Sequence, residues 1–335
     1  MVRQRTDEQK QQINQFLLNY PQIASGFNQY IARLGIKNSP DTGRSYQNTI
    51  YSYFIYLTQT KQEIGHISVN EYLKKRAVEQ ADTSVRQGAF ALVAFFEYLE
   101  ILKILEPNSA KLIDIPPFNT ERPFNPPFLL KEDIAKLIRS SADTATVTNE
   151  GPNNLIWPNM IALGYDAALR WGEAEMVELE KFDFANNRLN LKRLKNKSRP
   201  WHWISLKQET MDLVKQYSSK IRPKSDSDKL FLIDIEIKTR KEHHIRPLSG
   251  NEERLFGNIC KDLGIENKAN PKDRCTWHIL RHSAIIHRII DGEPIPLIAK
   301  HVGHQNINTT YGYFNSDIVQ RMRPDLSKQF SSGLV

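Results

Sequence analysis

A proline-dense segment divides this chain into two parts. The stretch P-P-F-N-T-E-R-P-F-N-P-P-F places five prolines between Pro116 and Pro127. Proline fixes φ and removes a backbone donor, so this density excludes a helix or a central strand and favours a semi-rigid extended linker. A chain of 335 residues is long for one domain and comfortable for two. The sequence therefore predicts one domain over 1–115, a linker over 116–127 and a second domain over 128–335.

The part before the linker has the apolar periodicity of helices. One segment begins with capping residues and then places apolar side chains on a single helical face. That face carries Tyr46, Ile50, Tyr53, Phe54 and Leu57. A later segment repeats the pattern through Phe90, Val93 and Phe96. These stripes predict a helical bundle with an aromatic core, and the 20-odd residues before Thr42 predict an additional polar helix that serves as an accessory arm.

The part after the linker mixes helical and extended patterns. Apolar residues at helical spacing lead through Ile161 and Leu169 to Arg170. The period then changes, because K-F-D-F, R-L-N-L-K-R-L and W-H-W-I-S-L have the pattern of short strands. The turns between them are predicted at Asn186-Asn187 and at the polar run from Lys195 to Arg199. The fold class that follows is mainly α with a small antiparallel β-sheet.

The residues best suited to chemistry lie between His278 and Tyr313. H-I-L-R-H places His278 and Arg281 three positions apart, V-G-H adds His304 after a glycine, and Tyr313 follows nine positions later. Residues three apart on a helix are about 5–6 Å from each other, so His278 and Arg281 can face one phosphate. Fixed donors of this kind stabilise the charge that a phosphodiester gathers under attack. A phenol, with a pKa of about 10, needs such a positive field or a base to act as a nucleophile.

This pattern resembles the C-terminal signature of tyrosine recombinases, the phage-integrase family, which reads H-x-x-R, then G-[HW], then a nucleophilic tyrosine. An upstream box, A-L-R-W-G-E-A, resembles the family's G-[LM]-R-x-[SG]-E-[LA]. It places Arg170 in the arginine position and Glu173 in that of the acidic supporting residue, with Ala168 where the family usually has glycine. The resemblance implies a helical, SAM-like core-binding domain followed by an α+β catalytic domain with a C-terminal tail helix.

The resemblance also implies a role for each site residue. Tyr313 is the nucleophile by family spacing, and Tyr311, its nearest rival, is then expected to be a packing residue. The residues expected to hold and neutralise the phosphorane are Arg170, Arg281, His304 and His278. His278 is also expected to accept the proton of Tyr313. A lysine on the hairpin protonates the leaving 5′ oxygen; Lys195 is favoured, and Lys197 competes because the sequence does not fix the register of the turn.

The partners follow from the same resemblance. It implies double-stranded DNA recombination sites, a homotetramer on two duplexes that passes through a Holliday junction, and no metal or nucleotide cofactor. Accessory DNA-bending or directionality factors are compatible with it. Further DNA contacts are expected near two helix starts and on the hairpin. These residues are Thr42, Arg44, Arg86, Gln87, Lys197 and Arg199.

Composition agrees with a polyanionic partner. The net charge is +8 and the isoelectric point about 9.3. Neither a membrane-spanning run nor a signal-peptide core is present in the sequence, which predicts a cytoplasmic protein that is nucleoid-associated when DNA is bound. Cys260 and Cys275 lack metal-ligand spacing and are predicted to be reduced thiols. The basic segment around His243 and His244 predicts an exposed loop and not a metal site.

Two other functions fit parts of the pattern. A type IB topoisomerase uses related chemistry as a monomer, but the spacing from Gly303-His304 to Tyr313 favours a recombinase. A catalytically silent DNA-binding protein on the same scaffold would form no covalent adduct with DNA. That alternative is disfavoured because every active-site position of the family is filled.

Overall fold

The computed structural model describes residues 5–37, 40–80, 82–117, 124–145, 155–193, 201–237 and 242–324. The chain divides into two compact units, Met1–Arg122 and Pro123–Val335, and the division lies within the proline-dense segment. The described part of the first unit consists of helices and their connections. The second unit combines helices with short antiparallel strands. The predicted fold class, mainly α with a small antiparallel sheet, is therefore confirmed.

The first unit is a helical bundle around an aromatic core. Its helices are α1 (Asp7–Asn19), α2 (Pro21–Lys37), α3 (Pro40–Thr60), α4 (His66–Glu79) and α5 (Asp82–Ile101). Phe54 of α3 stacks on Phe16 with ring centroids 4.6 Å apart and meets the edge of Phe27 at 5.4 Å. Phe27 also meets the edge of Phe95 at 6.1 Å. Such aromatic pairs are favourable beyond the area they bury, so rings from four helices hold the bundle together.

Two expectations about this unit are wrong. The 20-odd residues before Thr42 form one helix, α2, as predicted, but it is not a polar arm, because Phe27 is buried in the core. A further helix, α1, precedes it and buries Phe16. Apolar residues three and four apart share a helical face. The many polar residues between them made this face difficult to identify from composition. Phe90 was expected in the core but is 42% exposed. The buried face of α5 instead runs through Leu92 and Phe96.

The second unit contains nine further described helices and two antiparallel sheets. The helices are α6 (Lys131–Ser140), α7 (Ile156–Asp166), α8 (Trp171–Glu175), α9 (Gln208–Gln216), α10 (Gly250–Asp262), α11 (His278–Ile290), α12 (Ile295–Val302), α13 (Asn308–Phe314) and α14 (Asp317–Met322). The strands are β1 (Phe182–Asp183), β2 (Arg188–Leu191), β3 (His202–Ser205), β4 (Leu232–Ile237) and β5 (Glu242–Pro247). Helix α14 occupies the place of the predicted tail helix.

The first sheet has the order β1-β2-β3, and its strands match the three predicted ones. Leu189 of β2 pairs with Phe182 on one side and with Ile204 on the other. The second strand ends at Leu191, earlier than the sequence predicts. The predicted turn between β2 and β3 lies outside the described residues, and Lys195, Lys197 and Arg199 lie there with it.

The second sheet, formed by β4 and β5, corrects another expectation. His243 and His244 belong to strand β5 and not to a loop, and they pair with Glu236 and Ile235 of β4. This polar segment forms a strand because its backbone pairs with the isoleucine-rich strand β4, a partner that local sequence does not reveal. Within the described ranges, no cluster of His, Cys, Asp and Glu has an arrangement that suits a metal ion. Within the same ranges, no helix has the length and apolar character needed to cross a membrane.

Trp277 anchors the core of the second unit. Its side chain is fully buried just before α11, and its Nε1 donates to the carbonyl of Leu169 at 3.0 Å. A Cβ added to Gly164 of α7 would lie 2.4 Å from the Trp277 ring, so this helix contact requires glycine. Trp171 and Phe256 meet the same indole edge-on, with centroids at 5.1 and 5.6 Å. Trp277 therefore ties α11 to the loop that follows α7.

If α1 belongs to the core, Phe16→Ala will destabilise the protein. Truncating a buried phenylalanine costs about 3–5 kcal/mol because it removes apolar contacts and leaves a cavity. Leu18→Ala, two positions along the same helix, is the matched control, since Leu18 is 80% exposed. The measurement is the free energy of unfolding in urea. Equal, small losses in both variants would indicate that α1 lies outside the core.

Candidate active site

The loop between α7 and α8 positions the first arginine of the site. Helix α7 ends at Asp166, Ala168 adopts a left-handed conformation with φ +50°, and Arg170 is the N-cap of α8. This turn directs the carbonyl of Ala168 to Arg281, whose Nη1 donates to it at 2.8 Å. Few non-glycine residues adopt this conformation. Alanine at this position, where the sequence motif usually has glycine, therefore carries local backbone strain.

Glu173 lies at the centre of the arginine cluster, which consists of Arg170, Arg193 and Arg281. Its buried carboxylate accepts from Arg170 Nη1 and from Arg193 Nη1, both at 2.8 Å, and from the backbone N–H of Arg170 at 3.1 Å. Burial alone would raise the pKa of this carboxyl, but the guanidiniums of Arg193 and Arg170 bring the pKa below its ordinary value. Glu173 is therefore ionised and holds both arginines in place.

Arg193 was not identified from the sequence. It is almost fully buried, and its Nη2 donates to the carbonyl of Ala167 at 2.9 Å. The sequence could have indicated its burial. Side chains alternate along a strand, so Arg193 lies on the same side as Leu189 and Leu191, which are buried. An arginine at a core-facing position indicates a buried ion pair, since buried charges are paired.

Arg281 connects this loop to the segment that carries His304. Its buried guanidinium donates to the carbonyl of Val302 at 2.7 Å as well as to Ala168. Gly303, with φ +75°, ends α12, and a Cβ there would lie 2.6 Å from Arg193 Cγ. The glycine of the sequence motif is therefore required both by backbone conformation and by space.

His304 and Tyr313 complete the cluster. His304 Nδ1 lies 2.8 Å from the Thr310 hydroxyl, and its ring is stacked near that of Tyr313, with centroids 6.2 Å apart. Burial, followed by the charge of Arg281, lowers the pKa of His304 to about 4. Burial raises the pKa of Tyr313 to about 12, and Arg281 and Arg170 act against that shift. The tyrosine is thus a protonated phenol beside a positive cluster.

Tyr311 differs from Tyr313 in its surroundings. The side chain of Tyr311 is 37% exposed, whereas that of Tyr313 is buried. Tyr311 is therefore not a buried core residue. Residues two positions apart on a helix point in different directions, which agrees with the different exposure of Tyr311 and Tyr313.

His282 is the second site residue that the sequence reasoning missed. Its Nδ1 lies 2.6 Å from the Tyr313 hydroxyl oxygen, and its ring centroid is 4.8 Å from that of His278. Burial, followed by the neighbouring His278 and Arg281, lowers the pKa of His282 to about 3. The signal was its position four residues after His278, which places the two on one helical face.

The structure gathers most of the predicted catalytic residues in the second unit. Arg170, Glu173, Arg281, His304 and Tyr313 form one connected group, and His278 joins it through His282. The hairpin candidates Lys195, Lys197 and Arg199 lie outside the described residues.

The four DNA-contact candidates of the first unit lie at two helix starts. Thr42 and Arg44 are in the first turns of α3, and Arg86 and Gln87 are in the first turns of α5. Arg44 and Gln87 are exposed. The guanidinium of Arg86 donates to the carbonyl of Pro116 at 2.5 Å and lies over the Phe90 ring at 5.2 Å.

Comparison with known proteins gives a consistent result. The model of the phage integrase family matches residues 127–318. The tyrosine recombinase XerC of Thermodesulfovibrio yellowstonii is 22% identical over 84% of this chain and 87% of its own length. The tyrosine recombinase of Thermosipho africanus is 24% identical over 86% of this chain and 93% of its own length.

A solved structure shares the fold. The Tn1549 transposon integrase in complex with transposon right end DNA has a TM-score of 0.62 at 14% identity, covering 92% of this chain and 99% of that one. At this level of identity the likeness shows the fold alone. It agrees with the predicted pair of a helical domain and an α+β domain.

The strain at Ala168 leads to a stability prediction. A left-handed alanine costs about 1–2 kcal/mol, whereas Ala→Gly costs about 0.5–1 kcal/mol in chain entropy and about 0.8 kcal/mol for a buried methyl group. Ala168→Gly should therefore be nearly neutral. Ala167→Gly is the matched control, since Ala167 is equally buried at φ −79° and should cost about 1–2 kcal/mol. Equal losses in urea unfolding would contradict the assignment of strain.

Proposed function

Because this chain belongs to the phage integrase family and is a tyrosine site-specific recombinase, as its sequence predicts, we propose that it cuts and rejoins DNA through a covalent phosphotyrosine. Tyr313 attacks the scissile phosphate, which leaves a 3′-phosphotyrosyl link and a free 5′ hydroxyl. The 5′ hydroxyl of a partner duplex then attacks this link, and the strands exchange through a Holliday junction. The covalent link conserves the energy of the broken bond, so the reaction needs no nucleotide.

The observation that carries this proposal is the buried Tyr313 beside an arginine cluster that is only partly neutralised. Arg170 and Arg193 contact the carboxylate of Glu173, the charge of Arg281 also acts on it, and buried charge without a counterion is costly. Among the described residues, the buried Nε of Arg170 has no hydrogen-bond acceptor. A bound phosphate would supply both the missing negative charge and the missing acceptor. Charge-assisted hydrogen bonds from arginine to phosphate are strong ones.

Each residue of the cluster then has a distinct task. Arg170 and Arg281 neutralise the phosphorane, whose charge grows as the phenol oxygen bonds to phosphorus. His304 and His278 assist them as hydrogen-bonding groups. Glu173 holds Arg170 through two hydrogen bonds, one from its guanidinium and one from its backbone N–H, and so acts as a positioning residue. In the resting enzyme the tyrosine stays protonated, because its pKa of about 12 is far above neutrality.

The partner is double-stranded DNA, bound as recombination sites by a homotetramer that holds two duplexes. The Tn1549 integrase, which has this fold, is described in complex with transposon right end DNA. The net charge of +8 favours such a polyanion. Thr42, Arg44, Arg86 and Gln87 lie at helix starts, where donors commonly meet phosphates.

The nucleophile can be tested together with the DNA target. A pool of nicked duplexes with a randomised core should yield DNA covalently attached to the protein, because the nick lets the cleaved fragment escape before rejoining. Tyr313→Phe should abolish the adduct and leave DNA binding close to that of the wild type, since only the attacking oxygen is lost. Tyr311→Phe is the matched control and should form the adduct. Exchanged phenotypes would assign the nucleophile to Tyr311, and no adduct from the wild type would indicate a silent DNA-binding protein.

The general acid is tested with a sulfur-substituted leaving group. Lys195→Ala should cripple cleavage of an ordinary phosphodiester, since the departing alkoxide needs a proton. A 5′-bridging phosphorothiolate should restore cleavage, because a thiolate leaves without one. Arg170→Ala should gain no such rescue, as it removes charge stabilisation. Rescue in Lys197→Ala, with an unimpaired Lys195→Ala, would transfer the role to Lys197.

A further inference from the structure

The hydroxyl of Tyr313 already has a hydrogen-bonding partner in the resting site. The Nδ1 atom of His282 lies 2.6 Å from the tyrosine oxygen, at the short end of the range for hydrogen bonds made by a hydroxyl. The two rings are 5.6 Å apart with an interplanar angle of 35°. This contact involves the atom that the proposed function makes the attacking one. A general base must lie within hydrogen-bond reach of the proton that it abstracts, and His282 meets this condition.

The surroundings of His282 keep its ring neutral. Burial, followed by the positive charges that His278, Arg281 and His304 would carry beside it, disfavours the imidazolium. A neutral imidazole with its proton on Nε2 presents a lone pair on Nδ1. Since Tyr313 is a protonated phenol, the tyrosine donates and His282 accepts. The resting pair is thus arranged in the direction that proton transfer requires.

Substrate binding would make the transfer easier. The scissile phosphate brings negative charge next to Arg281 and His304, which are among the groups that disfavour a charged His282. An opposite charge within a few ångströms favours the protonated form of a histidine. At the same time the phenol becomes more acidic as its oxygen bonds to phosphorus. Both changes occur only when the phosphate is present, so the nucleophile is activated together with its substrate.

We propose that His282, and not His278, is the general base that takes the proton of Tyr313 during strand cleavage. This inference rests on the proposed function of Tyr313 as the nucleophile. The O–H bond of Tyr313 breaks, its proton passes to Nδ1 of His282, and the oxygen forms the bond to phosphorus. The bond from phosphorus to the 5′ oxygen breaks, and the hairpin lysine protonates that oxygen. In rejoining, the imidazolium of His282 returns its proton to the departing tyrosine oxygen.

A second tyrosine–histidine pair, whose histidine lies on the same helix as His282, provides a natural control. Tyr165 and His287 also share a short contact, 2.7 Å from the hydroxyl oxygen to Nδ1, and the side chain of His287 is buried. The charged neighbours of Tyr165 are Asp291, Arg288 and Asp166, and it has no role in the proposed chemistry. Replacing His287 therefore measures what the loss of such a pair does to the fold alone.

The experiment separates proton transfer from positioning. His282→Asn keeps a hydrogen-bond acceptor near the tyrosine but cannot take a proton, and His282→Ala removes both functions. Adduct formation is timed on the nicked duplex that the wild type selects from the randomised pool, with ordinary tyrosine or a fluorinated tyrosine at position 313. Because fluorine makes the phenol more acidic, the fluorinated residue needs less help from a base. DNA binding and thermal unfolding are measured in parallel, and His287→Asn is the matched variant.

If His282 is the general base, both His282 variants form the adduct about 100-fold more slowly or worse, as expected for the loss of a general base. They bind DNA as the wild type does, and fluorinated tyrosine restores most of the rate. His287→Asn cleaves at the wild-type rate. A wild-type rate in His282→Asn would reduce His282 to a positioning residue and overturn the proposal. A slower rate in the His282 variants that fluorinated tyrosine does not restore would overturn the proposal as well. If fluorinated tyrosine instead restores cleavage in His278→Ala, His278 is the general base.

These outcomes are distinct from failure of the proposed function. If Tyr313 is not the nucleophile, Tyr313→Phe still forms the adduct and the histidine variants carry no information about that chemistry. If only the inference about His282 fails, Tyr313→Phe remains inactive while the wild type and His282→Asn cleave alike. Should His282→Ala unfold, His282→Asn still decides the question, because it retains a polar group of similar reach.

Discussion

The buried carboxylate of Glu173 is the interaction on which the site depends. It joins Arg170 at the start of α8 to Arg193 just beyond β2, and so connects two elements that are separated in sequence. When one partner of such a buried ion pair is removed, the loss is about 3–5 kcal/mol, because the other charge is left uncompensated. The same carboxylate therefore fixes the fold of the loop and the direction of the arginines.

Burial and the excess of positive charge together set the states of the titratable groups in the site. Burial lowers the pKa values of His304 and His282 and keeps both imidazoles neutral, and the nearby positive groups act in the same direction. Burial also keeps Tyr313 protonated, although Arg281 and Arg170 favour its anion. The phenolate and the substrate phosphate would compete for the same arginines. A protonated tyrosine beside a neutral acceptor avoids that competition until the phosphate is bound.

The sequence predicted the part of the site that local spacing encodes. Arg281 lies one helical turn after His278, and Arg170 and Glu173 are three positions apart in one short motif. Each pair is therefore close in space whatever the rest of the fold. Tyr313 was identified from its place after these motifs.

Arg193 is different, because its partner Glu173 is twenty residues earlier and only the fold brings them together. Strand alternation marked Arg193 as inward-facing, but alternation does not identify what it meets.

The errors in the first unit have a related cause. A helix needs only a narrow apolar face to enter a core, and many of the remaining positions of α1 and α2 are polar, so composition suggested an arm. Phe16 and Ile13 of α1 are buried, which the spacing of three residues permitted but did not require. For α5, apolar residues lie on several faces, and its neighbours decide that Phe96 is buried while Phe90 is exposed.

Backbone carbonyls complete the arginine cluster, and two left-handed residues present them. Ala168 and Gly303 both have positive φ, and the carbonyls of Ala168 and of Val302, which precedes Gly303, accept from Arg281. The two positions differ in what a side chain would meet. A Cβ at Gly303 would collide with Arg193, so only glycine fits there. The methyl group of Ala168 is instead buried in an apolar cluster that includes Ile285.

Burial of that methyl group offsets part of the backbone strain, which explains how alanine occupies a position where the family usually has glycine. In this turn the carbonyl of Ala168 accepts from Arg281 Nη1 at 2.8 Å. The two arginines that the proposed mechanism assigns to the phosphate thus depend on different supports. Arg170 is held by the carboxylate of Glu173, and Arg281 is held by the backbone of two turns. The two supports are linked by Arg193, which donates to Glu173 and to the carbonyls of Ala167 and Ala168 and lies where a Cβ at Gly303 would be. A change in either turn would therefore act on Arg281 directly and on Arg170 through Arg193 and Glu173.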